Sequence, residues 1–107
     1  GDVYKRQIHY LCMMKPKIYT LDDFTFTPHQ VVVGGVQGIL KLPNNITVSI
    51  VGGDGDIYLY GDGVDTFEVA AWYTDSNEWI KLGEYDDILH YVDKDKLLFQ
   101  LFILSQK

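Results

Sequence analysis

The stretch Val36-Gln-Gly-Ile-Leu-Lys-Leu-Pro-Asn-Asn-Ile-Thr-Val-Ser-Ile-Val51 decides the fold, because its residue types alone predict a β-hairpin. Two runs rich in apolar residues flank the trio 43–45, whose Pro and Asn residues are typical of a turn. In the second run Ile46, Val48 and Ile50 alternate with Thr and Ser, the period of two that indicates a half-buried strand. The hairpin therefore predicts an antiparallel sheet with one apolar face.

A second strand pattern follows in Thr66-Phe-Glu-Val-Ala-Ala-Trp-Tyr-Thr74. Successive side chains of a strand point to opposite faces, so Phe67 and Trp72 lie on different sides of the sheet. The turn residues Asp75-Ser-Asn77 come next, and residues 78–82 return as the hairpin partner. We therefore expect an antiparallel meander of about four to five strands.

The last Leu-rich segment, residues 94–105, predicts a helix that begins after Asp93. Asp93 is a suitable N-cap, and Asp95 in the first turn interacts favourably with the helix dipole. The apolar residues spread almost around the helix axis, an arrangement that needs burial on every side. The alternative is a strand with four apolar residues on one face: Leu97, Phe99, Leu101 and Ile103. We favour the helix because Leu and Lys are good helix formers.

Either arrangement leaves apolar side chains for a second subunit, because one small sheet covers only one side of the segment. We therefore expect a homo-oligomer. The predicted interface residues are Leu98, Phe99, Phe102 and Ile103. Together these elements predict an α+β fold, a small antiparallel β-meander of about four to five strands with a C-terminal helix packed on one face.

The first residues, Asp2-Val-Tyr-Lys-Arg-Gln7, resemble the translation of a transposon-end adapter used in shotgun sequencing. We interpret residues 1–12 as a non-native leader and residues 13–107 as a single α+β domain. The leader contains Cys12, the only cysteine, so we expect a domain without a disulfide, a thiol nucleophile or a cysteine-based zinc site. No signal-peptide pattern follows Met13, which predicts a cytoplasmic location.

The charge balance is acidic, with nine Lys and Arg against fifteen Asp and Glu and a formal net charge of −6 at pH 7. Without the leader, seven bases face fourteen acids, for a net charge of −7. Direct DNA or RNA binding is not expected, because such binding relies on neutralising phosphates. No segment approaches the ~18 consecutive apolar residues of a membrane span, so we expect no membrane partner.

Residues 52–63 are unusual, because five of the chain's ten glycines fall in these twelve positions. Glycine N–H groups could hold a phosphate, although the Lys and Ser/Thr of a P-loop are missing. The Asp residues could bind calcium, although Tyr58 occupies the fifth position of an EF-hand pattern, where a ligand belongs. The simplest alternative is a connection whose glycines supply positive φ angles. The candidate ligand-binding residues are Gly53, Asp54, Gly55, Asp56, Tyr58, Tyr60 and Asp62.

No set of catalytic residues is apparent in the sequence. The carboxylates of Asp22-Asp23 and of Asp86-Asp87 are adjacent in sequence, so on an extended chain they point to opposite faces and form no acid–base dyad. His29 and His90 lie far apart, without the spacing of zinc ligands. We therefore predict a protein that is not an enzyme and that has no metal or cofactor.

Trp72 is the candidate recognition aromatic. If the helix covers the Phe67 face, Trp72 lies on the other face, where an exposed Trp would act as a binding anchor. The sequence also predicts short extended pieces within residues 17–33. If these N-terminal strands cover that second face, Trp72 belongs to the core.

Three motifs resemble small uncharacterised proteins encoded by phages of gut bacteria: Thr47-Val-Ser-Ile-Val-Gly-Gly53, Tyr60-Gly-Asp-Gly63 and Thr66-Phe-Glu-Val-Ala70. The resemblance implies a location in the host bacterial cell, and the small acidic profile is similar to that of anti-defence proteins. Such a protein would sequester a nucleotide signal, stacking its base on Tyr58 or Tyr60, or would block a host immune protein. The alternative is a structural or virion-accessory protein with no ligand.

Overall fold

The computed structural model of the protein describes residues 17–53, 59 and 61–107. A short 3₁₀ helix at Leu21–Asp23 precedes six strands and one α-helix. The strands are β1 (Thr25–Pro28), β2 (Val36–Leu42), β3 (Ile46–Gly52), β4 (Thr66–Tyr73), β5 (Trp79–Ile80) and β6 (Leu89–Asp93), and the helix is α1 (Lys94–Ser105). The predicted leader, residues 1–12, lies outside the described residues.

The six strands form one antiparallel sheet in which β1, β2, β3 and β4 are neighbours in chain order. The predicted hairpin around residues 43–45 is present, with Leu42 paired to Ile46 across the turn. Asn45 in this turn has φ 70°, a left-handed conformation that Asn tolerates better than most residues. Strand β4 also pairs with both β5 and β6, each along a different part of its length.

Helix α1 packs on one face of the sheet and completes the core. Leu97, Leu101 and Leu104 face the strands and are at most 1% exposed. Burying one such side chain contributes about 1.5–3 kcal/mol, so these three leucines are a large part of what holds the helix in place. The sheet contributes its own buried apolar residues: Leu40, Leu42, Ile46, Val48, Ile50, Phe67, Val69, Ala71, Ile80 and Val92. The predicted α+β fold with a C-terminal helix is confirmed, and the strand alternative for residues 97–104 is wrong.

Both ends of α1 are fixed by side chains. At its start, the backbone N–H of Lys96 donates a hydrogen bond of 2.9 Å to the carboxylate of Asp93, the predicted N-cap. At its end, the side-chain amide of Asn44 donates to the carbonyl oxygens of Leu104 at 2.8 Å and Lys107 at 3.3 Å. Asn44 belongs to the β2–β3 turn, so the hairpin and the end of the helix are directly linked.

Strand β6, like the short 3₁₀ helix, is an element that the sequence patterns did not predict. Its pairing with β4 shifts register between Phe67 and Val69, and Tyr91 adopts φ 52° at this irregularity. An extra residue in one strand interrupts the alternation of apolar and polar side chains. The periodic signal that identified the other strands is therefore absent from Leu89–Asp93. Strand β5 is also shorter than predicted, since only Trp79–Ile80 of residues 78–82 form a strand.

Candidate functional site

The face of the sheet opposite α1 is the candidate functional site. Lys41, Thr47, Trp72 and Trp79 form one row across this face, because each residue is the register partner of the next. Paired residues of neighbouring strands lie about 5 Å apart. Within residues 17–53, 59 and 61–107, all six strands belong to this one sheet, and α1 packs on its other face.

Trp72 and Trp79 are a cross-strand aromatic pair in this row. Their ring centroids are 5.7 Å apart and their planes are inclined by 53°, a tilted arrangement that aromatic rings favour. Trp79 is 54% exposed and Trp72 is half-buried. Strand β1 extends the edge of the sheet instead of covering this face. In the described part of the chain, Trp72 therefore lies on the open face and not in the core.

Sequence reasoning did not identify Trp79 as a site residue. The signal that could have found it is the register of the β4–β5 hairpin. Once residues 75–77 are taken as the turn, Trp79 falls close to the position opposite Trp72 on the same face.

Small side chains form the floor beside the tryptophan pair. Thr47 is 3% exposed and Ser49 is 7% exposed, although both belong to the open face. The hydroxyls of Thr47 and Thr74 lie 2.7 Å apart, and Gln37 donates a hydrogen bond of 3.4 Å to Ser49. Because these floor side chains are short and already hydrogen-bonded, the larger indole rings project beyond them.

The turn between β4 and β5 is held tightly, which fixes the position of the tryptophan pair. The N–H of Asn77 donates to the carbonyl of Tyr73 at 2.8 Å, and the N–H of Tyr73 donates to the carbonyl of Glu78 at 2.9 Å. The N–H of Asp75 donates to the side chain of Asn45 at 3.0 Å, which ties this turn to the β2–β3 turn. Asp75 and Glu78 are exposed, and neither forms an ion pair with a described residue.

The predicted ligand-binding loop is described only in part. Asp54, Gly55, Asp56, Tyr58 and Tyr60 lie outside the described residues. Gly53 and Asp62 are described, and both take part in backbone structure. Gly53 is buried, and its N–H donates to the carbonyl of Gly61 at 3.0 Å.

Asp62 holds a turn together through its carboxylate. One oxygen accepts hydrogen bonds from the backbone N–H groups of Thr66 at 3.0 Å and of Val64 and Asp65 at 2.8 Å each. These bonds favour the ionised form and lower the pKa of Asp62 to about 2, with the bond from Thr66 the largest cause. Asp62 therefore has a clear structural role in the loop.

The outer side of α1 carries the four residues predicted as an oligomer interface. At 100° per residue, Phe99, Phe102 and Ile103 lie opposite the three buried leucines of the helix, and Leu98 lies to one side. Leu98 is 37% exposed, Phe99 64%, Phe102 47% and Ile103 39%. Beside Leu98, an apolar cleft of about 180 Å³ lies between the helix and Leu21. The structure thus brings the predicted residues together on one continuous apolar surface.

His29 and Asp23 serve local structure. The ring nitrogen Nδ1 of His29 accepts hydrogen bonds from the backbone N–H groups of Val31 and Val32 at 3.1 and 3.0 Å. Asp23 accepts a bond of 2.9 Å from the N–H of Thr20, which lowers the pKa of that carboxyl, with a smaller effect from Lys17. The described residues contain no group of three or more His, Cys, Asp or Glu placed to hold a metal ion.

Comparison with protein-family models, with curated proteins and with solved structures found no match. No helix in the described ranges is both long enough and apolar enough to cross a membrane.

Proposed function

We propose that this is a small phage-encoded binding protein that acts in the host cell as an anti-defence inhibitor, without catalysing a reaction. The observation that carries the proposal is the Trp72–Trp79 pair on the sheet face opposite the helix, in which Trp79 is exposed and Trp72 half-buried. Tryptophan is enriched among the residues that dominate binding energy at protein interfaces. A rigid sheet that presents two such rings suits recognition by contact.

Between the two modes of inhibition, this geometry favours blocking a host immune protein over sequestering a nucleotide signal. Asp62, one of the candidate residues for holding a nucleotide, already accepts three backbone hydrogen bonds within a turn. The tryptophan pair, in contrast, sits on a broad face of the sheet. Protein interfaces bury about 800 Å² per partner, which suits a face of this kind better than a small pocket.

Self-association through the outer side of α1 is part of the same proposal. The four predicted interface residues form one apolar surface, and every copy of the chain carries an identical one. A twofold axis would cover both surfaces at once. The sheet face with the tryptophan pair stays available in such a dimer, because it lies on the other side of the sheet from α1.

A plaque assay tests the inhibitor proposal. The protein would be expressed in host strains that each carry one defence system, and a phage restricted by that system would be plated. We expect plating to recover in at least one strain, and the double variant Trp72→Ala/Trp79→Ala to lose the recovery. Tyr85→Ala is the matched control, because Tyr85 is an aromatic residue that is 92% exposed and lies outside the row. Plating that recovers in no strain would count against the proposal.

Calorimetry separates the two modes of inhibition. The protein would be titrated with a panel of cyclic and ADP-ribose-derived signalling nucleotides. We expect no heat of binding. Saturable heat with any member of the panel would restore the sequestration mode in place of the blocking mode.

A second candidate function is a structural or virion-accessory role with no ligand. The hydrogen bonds that Asp62 accepts favour this role, because they hold a turn together in the described part of the glycine-rich segment. A segment that only connects two strands needs no ligand. Mass spectrometry of purified phage particles decides the matter. Stoichiometric amounts of the protein in the particles would support this role and contradict the inhibitor proposal.

A further inference from the structure

We infer, on the basis of the proposed blocking function, that the Trp72–Trp79 face binds a basic protein surface and stacks an arginine side chain of that partner on the indole rings. This assignment rests on a partly exposed pair of aromatic rings that lies within an acidic hairpin of an acidic chain.

Acidic groups flank the pair along the hairpin. Glu78 directly precedes Trp79, and Asp75 lies in the turn that joins β4 to β5. Both carboxylates are exposed and free of ion pairs with the described residues. They therefore remain available to a cationic partner, at distances over which charges still interact in physiological salt.

Along the hairpin, Lys81 is the single base beside the two acids Asp75 and Glu78. Lys41 stands two strands away from Trp72, roughly 10 Å at the usual strand spacing. Lys81 comes two residues after Trp79 and is the nearest base along the hairpin. The chain as a whole carries fifteen acids and nine bases, so its long-range field attracts a basic surface and repels nucleic acid.

The rings specify arginine in particular. An indole face is the best aromatic partner for a cation, and the planar guanidinium group both stacks and carries charge. The 53° inclination leaves the two rings of Trp72 and Trp79 facing different directions, and Trp79 is more than half exposed. A lysine ammonium is more strongly hydrated, so it gains less from the same rings.

The chain offers its own reporter for a test, because Trp72 and Trp79 are its only two tryptophans. Tryptophan emission would be followed while blocked hexa-arginine, hexalysine and hexaglutamate peptides are added at low salt. Calorimetry on the same samples gives the affinities. We expect hexa-arginine to change the emission and to bind about fivefold more tightly than hexalysine, and hexaglutamate to have no effect.

Charge variants locate the site. Asp75→Asn/Glu78→Gln should weaken hexa-arginine binding about fivefold or more, and Lys81→Gln should tighten it. The control Glu84→Gln/Asp87→Asn removes the same charge from the β5–β6 connection and should change the affinity less than twofold. Thermal melting checks that all variants fold.

Three results would overturn the inference: equal weakening by the two double variants, equal affinity for the arginine and lysine peptides, or calorimetric binding without a change in emission. The outcome is separable from the proposed function. Plaque recovery that depends on the tryptophans while hexa-arginine fails to bind would reject the arginine partner and keep the inhibitor. Peptide binding without plaque recovery would reject the proposed inhibitor function and keep the arginine partner.

Discussion

At the residue scale, Gly63 shows why the chain concentrates glycine between residues 52 and 63. Gly63 has φ 80°, and a Cβ atom added to it would lie 2.8 Å from the carbonyl carbon of Gly52. A Cβ atom on Gly52 would in turn overlap the backbone of Gly63. Two backbone segments therefore pack directly against each other, which leaves no space for a side chain at either position.

We expect Gly63→Ala to destabilise the protein by about 2 kcal/mol or more, through backbone strain and overlap together. Gly34→Ala is the matched control, because Gly34 has φ 82° but no atom within 4 Å of an added Cβ. The control should cost only about 1 kcal/mol, for backbone conformation alone. Urea unfolding measures both values, and equal losses would mean that the contact with Gly52 is unimportant.

The carboxylate of Asp62 predicts a pH dependence of stability. Its pKa is about 2 in the folded protein, below the ordinary value near 3.9 of an unfolded chain. A lowered pKa stabilises the fold above the unfolded value, and the contribution is lost as the pH falls through the folded value. Asp62→Ala should therefore lower Tm modestly at pH 6, and the difference from the wild type should narrow between about pH 4 and 2.

Melting curves across this pH range provide the measurement. Asp62→Asn keeps an acceptor oxygen without a titrating group, so its loss at pH 6 should be smaller than that of the alanine variant. A wild-type advantage that stays constant down to pH 2 would show that the ionised carboxylate contributes nothing.

The sequence shows that residues 52–63 are rich in glycine, but it does not show the main reason for this. Positive φ was one expected cause, and Gly63 fits it. The close approach of Gly52 and Gly63 joins residues eleven positions apart, so it depends on how the strands pair. No local pattern of residue types contains that information.

At the element scale, α1 is held at each end by one side chain. Asp93→Ala removes the N-cap and should cost about 1 kcal/mol. Asn44→Ala removes the hydrogen bonds to Leu104 and Lys107 and should cost a similar amount, about 1 kcal/mol. The oxygen Oδ1 of Asn44 is buried without a partner among the described residues, which is itself unfavourable. The alanine variant removes this oxygen as well, and the gain limits the total cost.

Amide hydrogen exchange distinguishes the two variants, so each serves as the control for the other. Asp93→Ala should speed exchange near the start of α1, and Asn44→Ala should speed it near Lys107. Faster exchange along the whole helix in both variants would show that α1 opens as one unit and that its ends are not independently fixed.

Helix α1 and strand β6 show which secondary-structure elements can be predicted from the sequence and which cannot. The bounds of α1 follow from local signals, since Asp93 caps the start and Leu-rich sequence continues to Ser105. Strand β6 has no comparable signal, because its register shift interrupts the alternation by which the other strands were identified. Its existence depends on the free edge of β4, which is a tertiary property.

At the scale of the whole molecule, the chain has two distinct exposed surfaces on opposite sides. The tryptophan face carries Trp72 and Trp79, and the helix carries Leu98, Phe99, Phe102 and Ile103. Alternation within β4 predicted the side on which Trp72 lies. It could not predict that no described strand or helix covers that side, because this depends on where β1 joins the sheet.

We expect Phe102→Asp to abolish self-association. A helix of twelve residues is about 18 Å long, so contact between two such helices buries less than the ~800 Å² per partner of a stable complex. The assembly should therefore be concentration-dependent, with a Kd of roughly micromolar order. Light scattering should give a mass above 12.3 kDa for the wild type at high concentration and a monomer for the variant.

Tyr85→Ser is the control, since it removes an even more exposed aromatic ring from another part of the surface. It should leave the mass unchanged. A wild-type protein that stays monomeric at the highest concentration reached would contradict the prediction, and circular dichroism would show whether the Phe102 variant keeps its fold.

The link between Asn44 and Leu104 spans sixty residues, and this has a consequence for the order of folding. The helix can reach its final position only after the β2–β3 hairpin has closed, and contacts so distant in sequence form slowly. Until then, the apolar side of the sheet around Val48 and Val69 stays without its cover. During this interval, chains that meet can aggregate through the uncovered apolar side. Refolding at a lower protein concentration should therefore give a higher yield of folded protein.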